Sequence, residues 1–75
     1  MVLTLLVAKN CHSCSRVEAR LKKLIEKINV DLLIIDINDF NRPGIAIVPA
    51  LLIGDELFSY GDIDENRLLK RLEQE

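Results

Sequence analysis

The sequence predicts an α/β fold in the order β-α-β-(short helix or loop)-β-β-α, a four-stranded mixed sheet with helices on its faces. Three observations predict it. An apolar run at residues 2–8 gives way, after Cys11-His12-Ser13-Cys14, to helical spacing, and a second branched apolar run follows at 30–37. A strand, a helix and a strand of these lengths form a parallel βαβ unit with a right-handed crossover. Two short apolar segments, 50–53 and 57–60, flank Gly54-Asp55-Glu56, which is a hairpin pattern. Leu68, Leu69 and Leu72 then recur at helical spacing behind candidate capping aspartates.

Each element has its own justification. Residues 2–8 show little alternation and read as a strand buried on both faces, broken by Lys9-Asn10. Cys14, Val17, Leu21, Leu24, Ile25 and Ile28 then mark one helix face, with Arg16, Glu18, Arg20, Lys22, Lys23, Glu26 and Lys27 on the others. Glu18 and Lys22 make a favourable i,i+4 pair, and Asn29 is the expected stop. Residues 30–37 are apolar except for Asp31 and Asp36, the latter read as the polar end of its strand. The segment 38–44 is dense in turn formers. Asn38 is positioned to cap one helical turn there, which Pro43 and Gly44 keep short. The run 45–53, interrupted by Pro49, reads as core. Pro49 opens the third strand, where its missing N–H does least harm. Gly61 ends the hairpin. Asp62 and Asp64 are candidate N-caps, and Asp62 with Glu65 has the spacing of a capping box. Lys70 and Arg71 fall where the helix dipole favours cations.

Size and composition narrow the function classes. Seventy-five residues, 49% of them apolar, suit one domain over 1–75 with no repeat or linker. At this size only about 60% of the unfolded surface is buried. Only the terminal Glu73-Gln74-Glu75 is expected to lack order. The net charge is −2, without a basic block, and the aromatics are Phe40, Phe58 and Tyr60. Nucleic acid is therefore not an expected partner, and the three aromatics read as packing. No apolar run approaches the ~20 residues that span a bilayer, and residues 1–8 lack the basic start of a signal peptide. These features predict a cytoplasmic protein with no membrane partner.

The chemistry is concentrated in Cys11 and Cys14, the sequence's two cysteines. Two are too few for a disulfide-stapled scaffold. A close pair after a strand and at a helix start, inside a βαβ pattern, points to redox chemistry. Cys11 falls where unpaired N–H groups and the positive end of the helix dipole favour a thiolate. Cys14 shares the apolar row of Val17 and Leu21 and points inward. Cys11 is thus the exposed nucleophile and Cys14 the sheltered thiol that resolves the mixed disulfide. His12 and Lys9 are candidate tuning residues, weighed against plain solvated roles; histidine is the side chain that changes charge near neutral pH. Cys11, His12 and Cys14 are all potential metal ligands, but a closed zinc site wants four, so no metal is expected.

With the helix-opening cysteine pair, Val48-Pro49 after the second strand and Gly61 closing the hairpin, the chain resembles the thioredoxin/glutaredoxin superfamily over nearly its whole length. It is similar to the small glutaredoxin-sized, thioredoxin-like proteins. The resemblance implies a thioredoxin-like fold and a cis bond at Val48-Pro49, opposite the cysteines, with Pro43 as the alternative. It also implies that the Val48 backbone pairs with an incoming substrate strand. Glutaredoxins carry a Gly-Gly pair and then an aspartate that holds glutathione; the aligned positions here are Ser59, Tyr60 and Asp62, beside Gly61. Thioredoxins carry a tryptophan before the first cysteine and a buried proton-accepting aspartate in the first strand. Here these places hold Asn10 and Leu5-Leu6, so proton transfer from Cys14 needs another route, for which water is the candidate.

The expected activity is that of a protein-disulfide reductase: a thiol–disulfide oxidoreductase acting on disulfide-containing client proteins, as a monomer and without a bound cofactor. A thioredoxin-reductase-type flavoenzyme would supply its electrons. The alternatives are a glutathione-dependent glutaredoxin and a non-catalytic carrier of metal or an iron–sulfur cluster through Cys11.

Overall fold

The computed structural model describes residues 1–40, 44–45 and 47–73. Its elements are β1 (Val2–Val7), α1 (His12–Leu24), β2 (Asp31–Asp36), a single 3₁₀ turn (Ile37–Asp39), β3 (Ala50–Ile53), β4 (Glu56–Tyr60) and α2 (Glu65–Glu73). The strands form one sheet in the order β2-β1-β3-β4. β1 and β2 run parallel, from Val2 opposite Asp31 to Val7 opposite Asp36. β1 pairs with β3 and β3 with β4 antiparallel. This is the four-stranded mixed sheet that the βαβ and hairpin patterns predict and that the family resemblance implies.

Alternation along the strands divides the core in two. Leu3, Leu5, Leu51 and Ile53 face the helices and pack with Val17 and Leu21 of α1 and Leu68 of α2. Both helices therefore cover the same sheet face. Leu6, Ala50 and Leu52 face the other way and are covered by Phe40, Ile45 and Val48 from the β2–β3 connection. Burying each such leucine contributes about 1.5–3 kcal/mol. The central strands β1 and β3 are buried on both sides, whereas β2 lies at an edge and leaves Leu33 half exposed.

Several boundaries differ from the sequence expectation. α1 stops at Leu24 rather than Ile28. Ile25 is its C-cap, and the chain tightens through i→i+3 bonds from Glu26 N–H to Lys23 O and Ile28 N–H to Ile25 O. Such bonds satisfy terminal carbonyls, and Ile25 still packs on the core. β2 spans Asp31–Asp36, and Asp36 rather than Asn38 caps the turn that follows, its carboxylate accepting from Asn38 N–H at 2.8 Å. Glu56 belongs to β4, opposite Ile53. The hairpin loop is thus two residues, and Gly54 supplies the positive φ of +59° that so tight a loop requires.

The run 45–53 is core only in part: Ala50–Ile53 is buried, but Ile47 is 60% exposed. Asp64, not Asp62, caps α2, accepting from Arg67 N–H at 3.1 Å, so the Asp62–Glu65 capping box does not form. A carboxylate one residue before the helix reaches its orphan N–H groups; Asp62 lies too far upstream and turns to α1. Glu73, expected to lack order with the two residues after it, instead closes α2; Pro43, the alternative cis site, and residues 74–75 lie outside the described residues.

Candidate active site around Cys11 and Cys14

The topology carries the chemistry to one edge of the sheet. β1 ends at Val7, four residues before Cys11. β3 starts at Ala50, which faces Leu6 of β1 and Tyr60 of β4. Because both pairings are antiparallel, the end of β1, the start of β3 and the end of β4 lie side by side. Val48-Pro49 and Tyr60-Gly61 therefore flank the segment that leads into Cys11. Gly61 N–H donates to the Pro49 carbonyl at 2.7 Å, which holds these two segments together. The Val48–Pro49 peptide is cis. Pro49 is buried and Val48 half-buried.

Cys11 is the N-cap of α1, with extended backbone at φ −100° and ψ 102°. Asn10 before it takes a left-handed φ of +59°, a conformation that asparagine tolerates better than most residues. The Cys11 Sγ accepts from the Cys14 N–H at 3.1 Å, so the sulfur occupies the place of a capping oxygen. No acidic residue lies in the first turn of α1 to oppose negative charge there. Cys11 is half-buried, less open than the exposed nucleophile that the sequence suggests, and Cys14 is 3% exposed. The two form a disulfide with Cα atoms 5.2 Å apart, inside the usual 4.4–6.8 Å range. One end of the bond is thus open to a partner, while the other is sealed against the core.

A cleft of about 350 Å³ lies against this disulfide, lined by Cys11, His12, Cys14, Ser15 and Glu18 of α1 and by the end of β1. Larger hollows of about 640 and 550 Å³ lie over the C-terminal part of α1 and at the hairpin turn, and neither contains a cysteine. His12 is exposed in the first turn of α1, and Lys9 is exposed after β1. Tyr60 is 40% exposed at the end of β4. Asp62 is not free beside the cysteines: its carboxylate pairs with Arg16 of α1 at 3.2 Å. One turn further along, Arg20 pairs with Glu65, also at 3.2 Å. The α1 arginines thereby tie the start of α2 and the loop before it to the cysteine-bearing helix.

Sequence reasoning missed two residues near the site, Arg16 and Glu18, and the exposure of Ile47 just before Val48. Arg16 was visible as a polar-face residue, without a sign of its partner 46 positions away. Glu18 was visible as the i,i+4 partner of Lys22, which it meets at 3.0 Å; its spacing of four from Cys14 was the available signal. Ile47 was hidden inside an apolar run. Among the described residues, no group of three or more histidine, cysteine or acidic side chains is placed to hold a metal. No helix among them is long and apolar enough to cross a membrane.

Comparison with known proteins agrees with this geometry. The family model described as a thioredoxin domain matches residues 1–74. No curated protein matches the chain. The bonded Cys-x-x-Cys pair at the start of α1 supports chemistry of the redox type, carried on the sheet and helices described above. With the match running over nearly the whole sequence, the chain belongs to the thioredoxin domain family.

Proposed function

We propose that this protein is a thiol–disulfide oxidoreductase that reduces disulfides in client proteins by cycling Cys11 and Cys14 between dithiol and disulfide. The observation that carries this reading is the asymmetry of the pair: Cys11 at the N-cap of α1 and partly open, Cys14 sealed behind it. A helix N-terminus stabilises a thiolate. The Cys11 thiolate attacks a client disulfide, forms a mixed disulfide and expels one client sulfur. Cys14 then attacks Cys11 Sγ, the client's second sulfur leaves, and the Cys11–Cys14 disulfide closes. Two electrons pass to the client, and an external donor restores the dithiol.

The docking edge in this reading is Val48-Pro49, whose backbone pairs with an extended client segment, with Tyr60, Gly61 and Asp62 alongside. Lys9 adds positive charge near the nucleophile, and His12 is the second candidate for tuning it. The protein acts in the cytoplasm, as a monomer without a bound cofactor, and takes electrons from a flavoenzyme of the thioredoxin-reductase type. Glutathione is the rival donor. The engagement of Asp62 with Arg16 counts against it, because that carboxylate would have to exchange partners to hold glutathione.

The test is an equilibrium redox titration of the two thiols, joined to a turnover assay on a disulfide-bonded protein. A reversible two-electron couple near about −270 mV, with turnover abolished by Cys11→Ser, supports the reading. Undiminished turnover in Cys11→Ser sinks it. A couple near about −200 mV with turnover driven by glutathione moves the assignment to a glutaredoxin. Stoichiometric metal lost on removing Cys11, with no disulfide formed, replaces it with a metal carrier.

A further inference from the structure

The resolving step leaves a proton unassigned. Cys14 is 3% exposed, and burial in apolar surroundings opposes ionisation of a thiol. Its attack on the mixed disulfide therefore needs a proton acceptor within reach. The strand beneath it supplies none: β1 reads VLTLLV, without a titratable side chain.

The cleft against the disulfide is lined by one acidic residue, Glu18, together with His12 and both cysteines. Glu18 stands four residues after Cys14 on α1. Helical side chains lean toward the N-terminus and cover the preceding turn, so this spacing lays Glu18 over Cys14. Its side chain is only 33% exposed, and its carboxylate is held at 3.0 Å by Lys22 of the next turn. The residues that β1 and the following turn add to this cleft, Val7, Ala8 and Asn10, are not titratable.

We propose that Glu18 is the proton acceptor for Cys14 in the resolving step. The inference rests on the oxidoreductase reading above. In the mixed disulfide, the Cys14 S–H gives its proton to a Glu18 carboxylate oxygen, directly or across one water. The sulfur donates the freed electron pair to Cys11 Sγ, and the Cys11–Cys14 bond forms. The bond from Cys11 to the client breaks, and the client sulfur leaves as a thiolate that takes up the proton from Glu18 or solvent. The client disulfide is the sole oxidant required.

The sign of the effect separates this role from a mere field effect. A nearby negative charge disfavours a thiolate, so deleting Glu18's charge would speed resolution if the carboxylate acted only through its field. Deleting a proton acceptor slows it. The experiment is stopped-flow reaction of the reduced protein with Ellman's reagent. A first phase reports attack by Cys11. A second phase, independent of reagent concentration, reports release of the aryl thiolate by Cys14. Glu18→Gln is expected to slow the second phase at least about tenfold at pH 7, and Glu18→Asp to recover part of the rate. The deficit should shrink steadily as pH rises, because hydroxide then takes the thiol proton without the carboxylate.

A second phase unchanged or faster in Glu18→Gln overturns the proposal and leaves the oxidoreductase reading intact. A slowing equal at all pH values also overturns it, since a structural defect behaves that way. So does the pH-selective loss if it appears in His12→Gln and not in Glu18→Gln. A wild-type protein with no second phase at any pH overturns the resolver role of Cys14, and with it both readings.

Discussion

Arg16 and Asp62 meet at 3.2 Å across 46 residues of sequence, so the loop between the hairpin and α2 is tied to the helix that carries both cysteines. The pairing removes Asp62 from helix capping and leaves that task to Asp64. Two aspartates two positions apart therefore have different energetic weight.

Asp64→Ala is expected to destabilise the protein by about 1 kcal/mol, the usual cost of an N-cap. Asp62→Ala should change stability by less than about 0.5 kcal/mol, because both members of its ion pair are more than half exposed. Urea unfolding of the two variants measures the difference. The reverse order would mean that Asp62 caps α2 in solution.

Gly61 has a φ of +69° and donates to the Pro49 carbonyl, while a Cβ placed there would meet no atom within 4 Å. Its cost on substitution is therefore conformational and not steric. Gly61→Ala should destabilise by about 1–2 kcal/mol, and Gly61→Asn by less, since asparagine visits the left-handed region more readily. Equal losses in both variants, read by thermal unfolding, would point to a clash instead.

Glu56 accepts a hydrogen bond from Arg71 at 2.7 Å. That bond, and then the guanidinium charge, hold the Glu56 carboxyl below its ordinary range. A carboxyl lowered on folding adds stability that is complete above its unfolded pKa, about 4.3. The contribution fades as pH falls through the lower folded value. Arg71→Gln should raise the Glu56 pKa toward the ordinary value in a carboxyl NMR titration and flatten the acid limb of stability. An unmoved Glu56 titration would show that the pair does not persist in solution.

Cys14→Ser should retain the first attack on a client disulfide and stop there, accumulating a mixed disulfide through Cys11 that acid trapping and mass spectrometry detect. Cys11→Ser should give no such adduct. An adduct on Cys14 in the Cys11→Ser protein would reverse the proposed roles, against the burial of Cys14 at 3%.

The fold was largely legible because its elements are short and their periods differ. The apolar stripe Cys14-Val17-Leu21, the β-branched run around Ile34-Ile35 and the glycine of the hairpin each announce one local structure, and they agree with one another. The cysteine pair was legible for the same reason: three-residue spacing at a helix start is a local fact. Where α1 ends was not, because Ile25 and Ile28 keep the helical pattern while their backbone tightens into turns.

The sequence by itself determined the order of elements, the inward Cys14 and the place of Cys11 at the helix start, since hydrophobic period and helix capping act within a few residues. Only the tertiary structure decided which residues share the site. The antiparallel register sets Pro49 and Gly61 beside the end of β1. Packing α1 and α2 on one face brings Arg16 to Asp62 and Arg20 to Glu65. Charged side chains at a surface have many partners of similar energy within reach, so their pairing follows from where the packed core puts their helices and not from any pattern of their own.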